Sequence, residues 1–338
     1  MSAAPLIETI GRAFALSETV IGAFWLGDTA VFCTGDGVAS GHTLTDPVWV
    51  REGVHDGALL AAAVGIADEV ITGGDDGRIA AIDADGVVRT LAAYPGKWIE
   101  AVAASRTARL VAASIGKEAV IVGAGGEKHR FAHEATVTGL AFEPNGRRIA
   151  AAHYGGATVS WAASPESRRK TLAWKGAHLS VAWTHDAKFL VTTMQEQALH
   201  GWRLQDGQHF RMAGYPAKIR ALSFTADNKW LATAGAQEVV LWPFQGPNGP
   251  INTNAAVAGE LATPCTAIAC HPTRAVLAAG GHDGEIALMP VGGGKALLID
   301  APQGARVTAL AWSGDGRRLA IGAESGRAGV LDFTDALG

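Results

Sequence analysis

Short apolar stretches separated by turn residues recur along the chain. In the clearest segment, the apolar run Val137–Phe142 is followed by Pro-Asn-Gly at 144–146. Proline fixes φ and Asn-Gly tolerates positive φ, so these three residues predict a tight turn. A second apolar run covers 149–152, and a third run at 158–161 carries the β-branched residues that favour strands. The segment therefore predicts three short strands joined by turns.

The same pattern occurs eight times along the sequence. The units start near residues 20, 59, 99, 137, 179, 219, 265 and 307, so the spacing between them runs from 38 to 46 residues. A period of this length is typical of the four-stranded blades of a β-propeller. We therefore expect an all-β fold of eight four-stranded blades. The number falls to seven if one of the weak units, near 59 or near 99, is not a blade.

The units resemble the repeats of the WD40 family of β-propellers, and the resemblance covers nearly the whole chain. The family pattern has a histidine before the first strand, an aspartate in the turn after the second strand, and Trp-Asp ending the third. The matching residues are His133, Trp161, Trp202, Trp242, Asp36, Asp76, Asp283 and Asp332. The units with the turn aspartate lack the histidine, and the unit of His133 has Gly155 at the aspartate position. The resemblance thus implies degenerate repeats, and we expect a bacterial source.

The two ends of the sequence predict how the blades close into a ring. The last unit stops near Phe333 after three strands, whereas residues 7–16 precede the first unit and have no blade of their own. Segment 7–16 resembles the N-terminal strand that serves as the outer strand of the last blade in this family. We expect residues 1–338 to form one domain.

The amino-acid composition indicates where the protein is located and which kinds of partner it can bind. Hydrophobic residues make up 48% and charged residues 18%, and the net charge of -4 gives no basic field to hold nucleic acid or an anionic membrane. The three cysteines, Cys33, Cys265 and Cys270, form no CxxC pair. No secretory pattern opens the sequence, and its apolar stretches are too short to span a bilayer. We expect a monomeric, cytoplasmic protein.

Sequence motifs for catalysis are sparse. GxSxG is absent, and no Gly-Lys pair belongs to a phosphate-binding GxxxxGK[ST] loop. His129 and His133 are four residues apart, but on a strand they would lie too far apart for easy joint metal binding. We expect no catalytic residue, cofactor or metal. The alternative is an enzyme, or a metal- or small-molecule-binding propeller, that uses the central channel.

Aromatic and basic residues concentrate where the outer strand of one unit leads to the first strand of the next. These crossing loops carry Tyr94, Lys97, Trp98, Trp174, Lys175, His178, Tyr215, Lys218, Arg220 and Arg306. Such a composition is typical of interface hot spots, and loops on a rigid scaffold often carry function. The alternative is ordinary loop chemistry. We predict a non-catalytic protein-binding scaffold whose crossing-loop face binds a partner protein or peptide with an acidic surface.

Overall fold

The computed structural model describes residues 4–164 and 169–335, which contain 30 β-strands and one short helix. Contacts divide the described residues into two compact units, one within 4–35, 39–50 and 215–335 and the other within 36–38, 51–164 and 169–214. The expectation of a single domain over 1–338 stays a prediction, and its end residues 1–3 and 336–338 lie outside the described part. In that described part, no helix is long and apolar enough to cross a membrane.

The first unit contains four antiparallel sheets of four strands each. Its elements are α1 Leu6–Ile10, β1 Gly11–Ala15, β2 Val20–Leu26, β3 Thr29–Thr34, β4 Ala39–His42, β5 Pro47–Arg51, β20 Leu222–Phe224, β21 Trp230–Thr233, β22 Glu238–Pro243, β23 Ala256–Glu260, β24 Cys265–Cys270, β25 Val276–Gly281, β26 Ile286–Pro290, β27 Leu297–Asp300, β28 Val307–Trp312, β29 Arg318–Ala323 and β30 Arg327–Asp332. The sheets are β2-β3-β4-β5, β20-β21-β22-β23, β24-β25-β26-β27 and β1-β30-β29-β28. In the last of these, β1 pairs antiparallel with β30, so residues 11–15 form the outer strand of the final sheet. The prediction of an outer strand over 7–16 is corrected, because residues 7–10 belong to α1.

The second unit contains two four-stranded sheets and one sheet of six strands. Its strands are β6 Leu59–Val64, β7 Glu69–Gly74, β8 Arg78–Asp83, β9 Val88–Ala93, β10 Val102–Ser105, β11 Leu110–Ile115, β12 Glu118–Gly123, β13 Gly126–Ala132, β14 Val137–Phe142, β15 Arg148–Trp161, β16 Arg169–Trp183, β17 Phe189–Met194, β18 Ala198–Arg203 and β19 His209–Ala213. The sheets are β6-β7-β8-β9, β10-β11-β12-β13 and β14-β15-β16-β17-β18-β19. The weak repeat units near 59 and 99 therefore each form a sheet.

The fold is an all-β propeller with seven sheets among the described residues, and the prediction of eight separate blades is corrected to seven. The difference arises because the units near 137 and 179 share one sheet. Residues 148–153 of β15 pair with β14 and residues 154–160 pair with β16, while residues 178–183 of β16 pair with β17. Gly155 and Gly156 adopt φ of 91° and 138°, and the register of β15 with β16 shifts beside them, so β15 bends where its partner changes from β14 to β16.

A β-bulge recurs at the start of the first strand of six repeat units. The pairing register shifts after Val20, Leu59, Val137, His178, Cys265 and Val307. A bulge places one extra residue on one strand, so its recurrence at one place marks equivalent positions. It shows that His178, not residue 179, occupies the position of Val137 and Leu59.

The core lies between neighbouring sheets within each unit and depends on very close approaches. The second strands are buried almost throughout, as β7 and β17 illustrate. A Cβ atom on Gly73 would come within 2.4 Å of Ile99 Cγ2, and one on Gly280 would come within 2.5 Å of Val307 Cβ. These glycines therefore allow the next sheet to pack against the strand backbone.

Candidate protein-binding groove

The position four residues before the bulge is where the WD40 pattern has its histidine. In the repeat that starts at Leu59 this residue is His55, whose Nδ1 lies 3.0 Å from Asp76 Oδ1 and whose Nε2 lies 2.9 Å from Thr72 Oγ1. Burial lowers the pKa of His55, although the Asp76 carboxylate opposes the shift. The prediction that the unit of Asp76 lacks the histidine is therefore wrong. The signal was available, because His133 precedes Val137 by the same four residues.

In the repeat unit that begins near residue 219, Tyr215 occupies the position where the WD40 pattern has its histidine. Its side chain is only 6% exposed, and its hydroxyl lies 2.6 Å from both Thr233 Oγ1 and Trp242 Nε1. The prediction that Tyr215 belongs to an exposed binding surface is therefore corrected. The hydroxyl replaces the histidine in a buried hydrogen-bond network.

His178 is also buried, with no exposed surface. Its Nδ1 lies 2.7 Å from Thr192 Oγ1 and its Nε2 lies 3.1 Å from the Trp174 carbonyl oxygen. Because both ring nitrogens are engaged inside the protein, His178 is not available to a partner, which corrects its place among the predicted binding residues. Its role is to fix the loop that carries Trp174.

Trp174 takes the histidine position before His178 and lies at the edge of a surface groove. Its ring stacks on His200 at a centroid distance of 4.1 Å and lies 4.9 Å from the ring of His209. Trp174 is half-buried, whereas the neighbouring Lys175 is exposed. The stacking holds the indole in place so that its remaining surface lines the groove.

The groove has a volume of about 320 Å³ and lies beside the bend of β15. We call it the Tyr154–Trp174 groove; it is lined by Tyr154, Trp174, Lys175, Met194, Glu196 and Arg211. Tyr154 is 67% exposed although it follows the buried run of β15. The sequence interpretation found Trp174 and Lys175 but missed the other four, because they come from the turn of β15 and from β17 to β19.

The loop between β9 and β10 carries a second exposed aromatic residue. Trp98 is 62% exposed and Lys97 beside it is also exposed. Tyr94 is more constrained, because its hydroxyl donates to Glu127 Oε2 at 2.7 Å and the Arg130 guanidinium lies 5.4 Å from its ring centroid. Burial raises the pKa of Tyr94, and the Glu127 carboxylate adds to the shift.

The remaining predicted binding residues lie in the first unit. Arg220 is exposed and Lys218 is half-buried. Arg306 forms an ion pair with Glu324, whose Oε1 lies 3.0 Å from Arg306 Nη2, so its charge is partly neutralised. The predicted ring of basic residues is thus divided between the two units and stays a prediction.

The contacts and exposure of the other residues that match the WD40 repeat pattern are as follows. Thr263 Oγ1 donates to Asp283 Oδ1 at 2.9 Å, and Arg318 Nε lies 3.5 Å from Asp332 Oδ2. Trp202 is 2% exposed and Trp161 is 37% exposed. Asp36 is exposed in the turn between β3 and β4.

Reactive and metal-binding side chains are not grouped in the residues described. No three His, Cys, Asp or Glu side chains among them are placed to hold a metal ion. His133 Nδ1 faces Arg169 Nη2 at 3.3 Å, so it is not turned toward a metal shared with His129. Cys33 is buried, and burial raises the pKa of its thiol to about 12, which makes it a core residue and a poor nucleophile.

Comparisons with known proteins agree with the repeat and the sheets. Residues 125–161 match the family model "WD domain, G-beta repeat", and residues 269–336 match "Anaphase-promoting complex subunit 4 WD40 domain". WD repeat-containing protein 55 of Rattus norvegicus is 26% identical over 200 residues, which cover 57% of this chain and 51% of that protein. The Homo sapiens protein of the same name is 25% identical over the same length. The chain spans about half the length of these curated relatives.

A solved structure extends the likeness to nearly the whole chain. The crystal structure of the computationally designed Ika8 protein aligns with a TM-score of 0.77 and 16% identity, covering 94% of this chain and 97% of the other. At this identity the likeness concerns the fold alone. In its repeat matches and its blade-type sheets, the chain is thus similar to the WD40 β-propeller family.

Proposed function

We propose that the protein is a non-catalytic scaffold that binds an acidic segment of a partner protein in the Tyr154–Trp174 groove. The observation that carries the proposal is the exposure of Tyr154, at 67%, beside a half-buried, stacked tryptophan in a groove of about 320 Å³. Tyrosine and tryptophan are the residues enriched at the energetic centres of interfaces. Two rigid aromatic rings beside one concavity offer a partner large contact area with little loss of side-chain entropy.

The charges at the groove favour an acidic partner. Lys175 and Arg211 contribute two positive charges and Glu196 one negative charge, so the lining carries a net charge of +1 in a protein of net charge -4. Complementary charge raises association rates and orients the partner. The same local charge on an acidic protein makes nucleic acid a poor ligand, since no basic surface would follow its backbone.

Several features extend the proposal beyond the groove. Lys97 and Trp98, with Arg220, would offer further exposed contacts of the same chemistry, whereas His178 and Tyr215 no longer belong to the binding set. We further propose that the protein is a monomer and acts in the cytoplasm. A family model named for a subunit of a complex also supports a role in assembly.

A selection experiment tests the proposal. A library of acidic peptides is selected on the wild-type protein, and the dissociation constants of the enriched peptides are measured with a Lys175→Glu/Arg211→Glu variant. We expect at least about a tenfold loss, because two attractive pairs become repulsive. The matched control is Lys170→Glu/Lys188→Glu, which makes the same charge change on exposed residues outside the groove lining.

Two results would contradict the proposal. One is equal weakening by the groove variant and the control, which would reduce binding to general electrostatics. The other is the absence of any peptide that binds the wild type more tightly than the groove variant. Circular dichroism of both variants must match the wild type for the comparison to count.

A further inference from the structure

The Tyr154–Trp174 groove places two aromatic rings beside one concavity, and the two rings do not touch each other. Both residues line the groove, yet no ring contact joins them, whereas Trp174 does contact the rings of His200 and His209. Aromatic rings that pack on each other have centroids roughly 4.5–7 Å apart. The groove therefore leaves space between its two rings.

The ring of Tyr154 is available to an incoming group. Its side chain is 67% exposed and makes no hydrogen bond or ring contact with another described residue. The other two tyrosines of the chain differ in this respect. The hydroxyl of Tyr94 donates to Glu127, and the hydroxyl of Tyr215 lies in a buried network. Tyr154 is thus the tyrosine that offers most of its ring to a partner.

The indole of Trp174 has its ring partners on one side only. His200 stacks on it with 4.1 Å between the ring centroids, and the centroid of His209 lies 4.9 Å away. Two rings on opposite faces of the indole would be separated by nearly the sum of these distances, but His200 and His209 are only 5.2 Å apart. The other face of the half-buried indole therefore has no ring partner among the described residues.

The charged side chains of the groove are not engaged with one another. Lys175, Glu196 and Arg211 are exposed, and none of them makes an ion pair with a described residue. Because the two cations outnumber the one carboxylate, a positively charged group between the rings would be repelled. An uncharged group between the rings, with acidic groups beside it, matches the charge of the lining better than a lysine or arginine side chain does.

We propose that the bound acidic segment inserts an aromatic side chain between Tyr154 and Trp174, with acidic residues on either side of it. This inference rests on the proposed function and names the anchor of the bound segment. Contacts between aromatic rings stabilise a complex beyond the apolar area that they bury, and aromatic side chains lose little conformational entropy on binding. The acidic neighbours of the anchor lie beside Lys175 and Arg211, where opposite charges attract.

Peptides that differ only at the anchor test this inference on the full-length protein. The probes are acetyl-Gly-Asp-Glu-Xaa-Glu-Asp-Gly-amide with phenylalanine, cyclohexylalanine, leucine or arginine as Xaa. Cyclohexylalanine is close to phenylalanine in size and apolarity but has no π system. Dissociation constants are measured by NMR titration of the Trp174 indole N–H signal. We expect the phenylalanine peptide to bind about two- to tenfold more tightly than each of the others.

Two substitutions of Tyr154 separate the ring from its hydroxyl. Tyr154→Leu removes the ring and should lower the preference for phenylalanine over cyclohexylalanine at least about twofold. Tyr154→Phe is the conservative counterpart, and it should retain that preference because it keeps the ring. Both variants should unfold at the urea midpoint of the wild type, since the Tyr154 side chain is 67% exposed. An undiminished preference in Tyr154→Leu would overturn the inference.

The Lys175→Glu/Arg211→Glu variant distinguishes this anchor from the proposed function. It should weaken the phenylalanine and cyclohexylalanine peptides by the same factor, at least about tenfold, because the anchor carries no charge. Weakening by this variant together with equal wild-type binding of the phenylalanine, cyclohexylalanine and leucine peptides would overturn the anchor alone. Tightest binding of the arginine peptide would also overturn it, since the rings would then hold a cation. No binding of any peptide by the wild type would overturn both the anchor and the proposed function.

Discussion

Substitution of Tyr215 by phenylalanine removes a hydroxyl that two other side chains share. The hydroxyl lies 2.6 Å from Trp242 Nε1 and 2.6 Å from Thr233 Oγ1. The indole N–H can only donate, so the tyrosine oxygen accepts from Trp242. Thr233 donates to the Val240 carbonyl at 3.0 Å, so it accepts from the Tyr215 hydroxyl.

The structure sets the expected magnitude of this change. Phenylalanine keeps the buried ring, so the substitution creates no large cavity. The N–H of the half-buried Trp242 loses its acceptor, and leaving a donor unsatisfied costs roughly 1–3 kcal/mol when it is shielded from water. Thr233 keeps its own donated bond and loses only an incoming one. We therefore expect the free energy of unfolding to fall by about 2 kcal/mol.

Urea unfolding followed by circular dichroism measures the effect, with the m-value unchanged. Tyr94→Phe is the matched control, because the Tyr94 hydroxyl bonds Glu127 near the surface and its loss should cost less than about 1 kcal/mol. In a Trp242→Phe background, the cost of Tyr215→Phe should shrink, since no orphan donor remains. Equal costs for the two tyrosine variants, or an undiminished cost in that background, would refute the reasoning.

Two further predictions concern packing and pH. Gly280→Ala should lower the free energy of unfolding by about 1–3 kcal/mol in urea titration, because the new Cβ would lie 2.5 Å from Val307 Cβ. The control Gly292→Ala should change the free energy of unfolding little, because no atom lies within 4 Å of its new Cβ. Equal effects of the two substitutions would contradict this prediction. Burial lowers the pKa of His42 to about 4 and that of His200 to about 3. Because the unfolded histidines protonate first, stability should be full above about pH 6.5 and fall by up to roughly 1.4 kcal/mol per pH unit per histidine between pH 6.5 and 4. His200→Phe should flatten the profile of urea midpoint against pH, and an unchanged slope would show that His200 does not contribute.

The repeat period is the part of the fold that the sequence predicted well. Turn residues and apolar runs recur regularly enough to locate the three strands of each repeat unit. The last unit has only three strands, which predicted that an N-terminal segment supplies its outer strand. The number of separate sheets did not follow. Whether Gly155 and Gly156 interrupt a sheet or bend within it depends on pairing with β16, which a local pattern does not encode.

The residues of the candidate site could be predicted less well from the sequence. His178 and Tyr215 occupy loop positions, but a histidine or tyrosine there can either replace the family histidine inside the network or face solvent. Burial decides between them, and it depends on partners such as Thr192 and Thr233 on other strands. Tyr154 was missed for the converse reason, since it follows a fully buried run and becomes exposed only because β15 bends after it.

Binding of an acidic peptide by a Tyr154→Ala variant tests the central claim most directly. The residue carries no charge and is 67% exposed, so its loss should leave both the fold and the electrostatic attraction intact. Isothermal titration of a peptide selected on the wild type should show a dissociation constant raised about tenfold or more, as for the loss of an interface hot spot, with an unchanged urea midpoint. An unchanged dissociation constant would mean that the partner does not bind in the Tyr154–Trp174 groove.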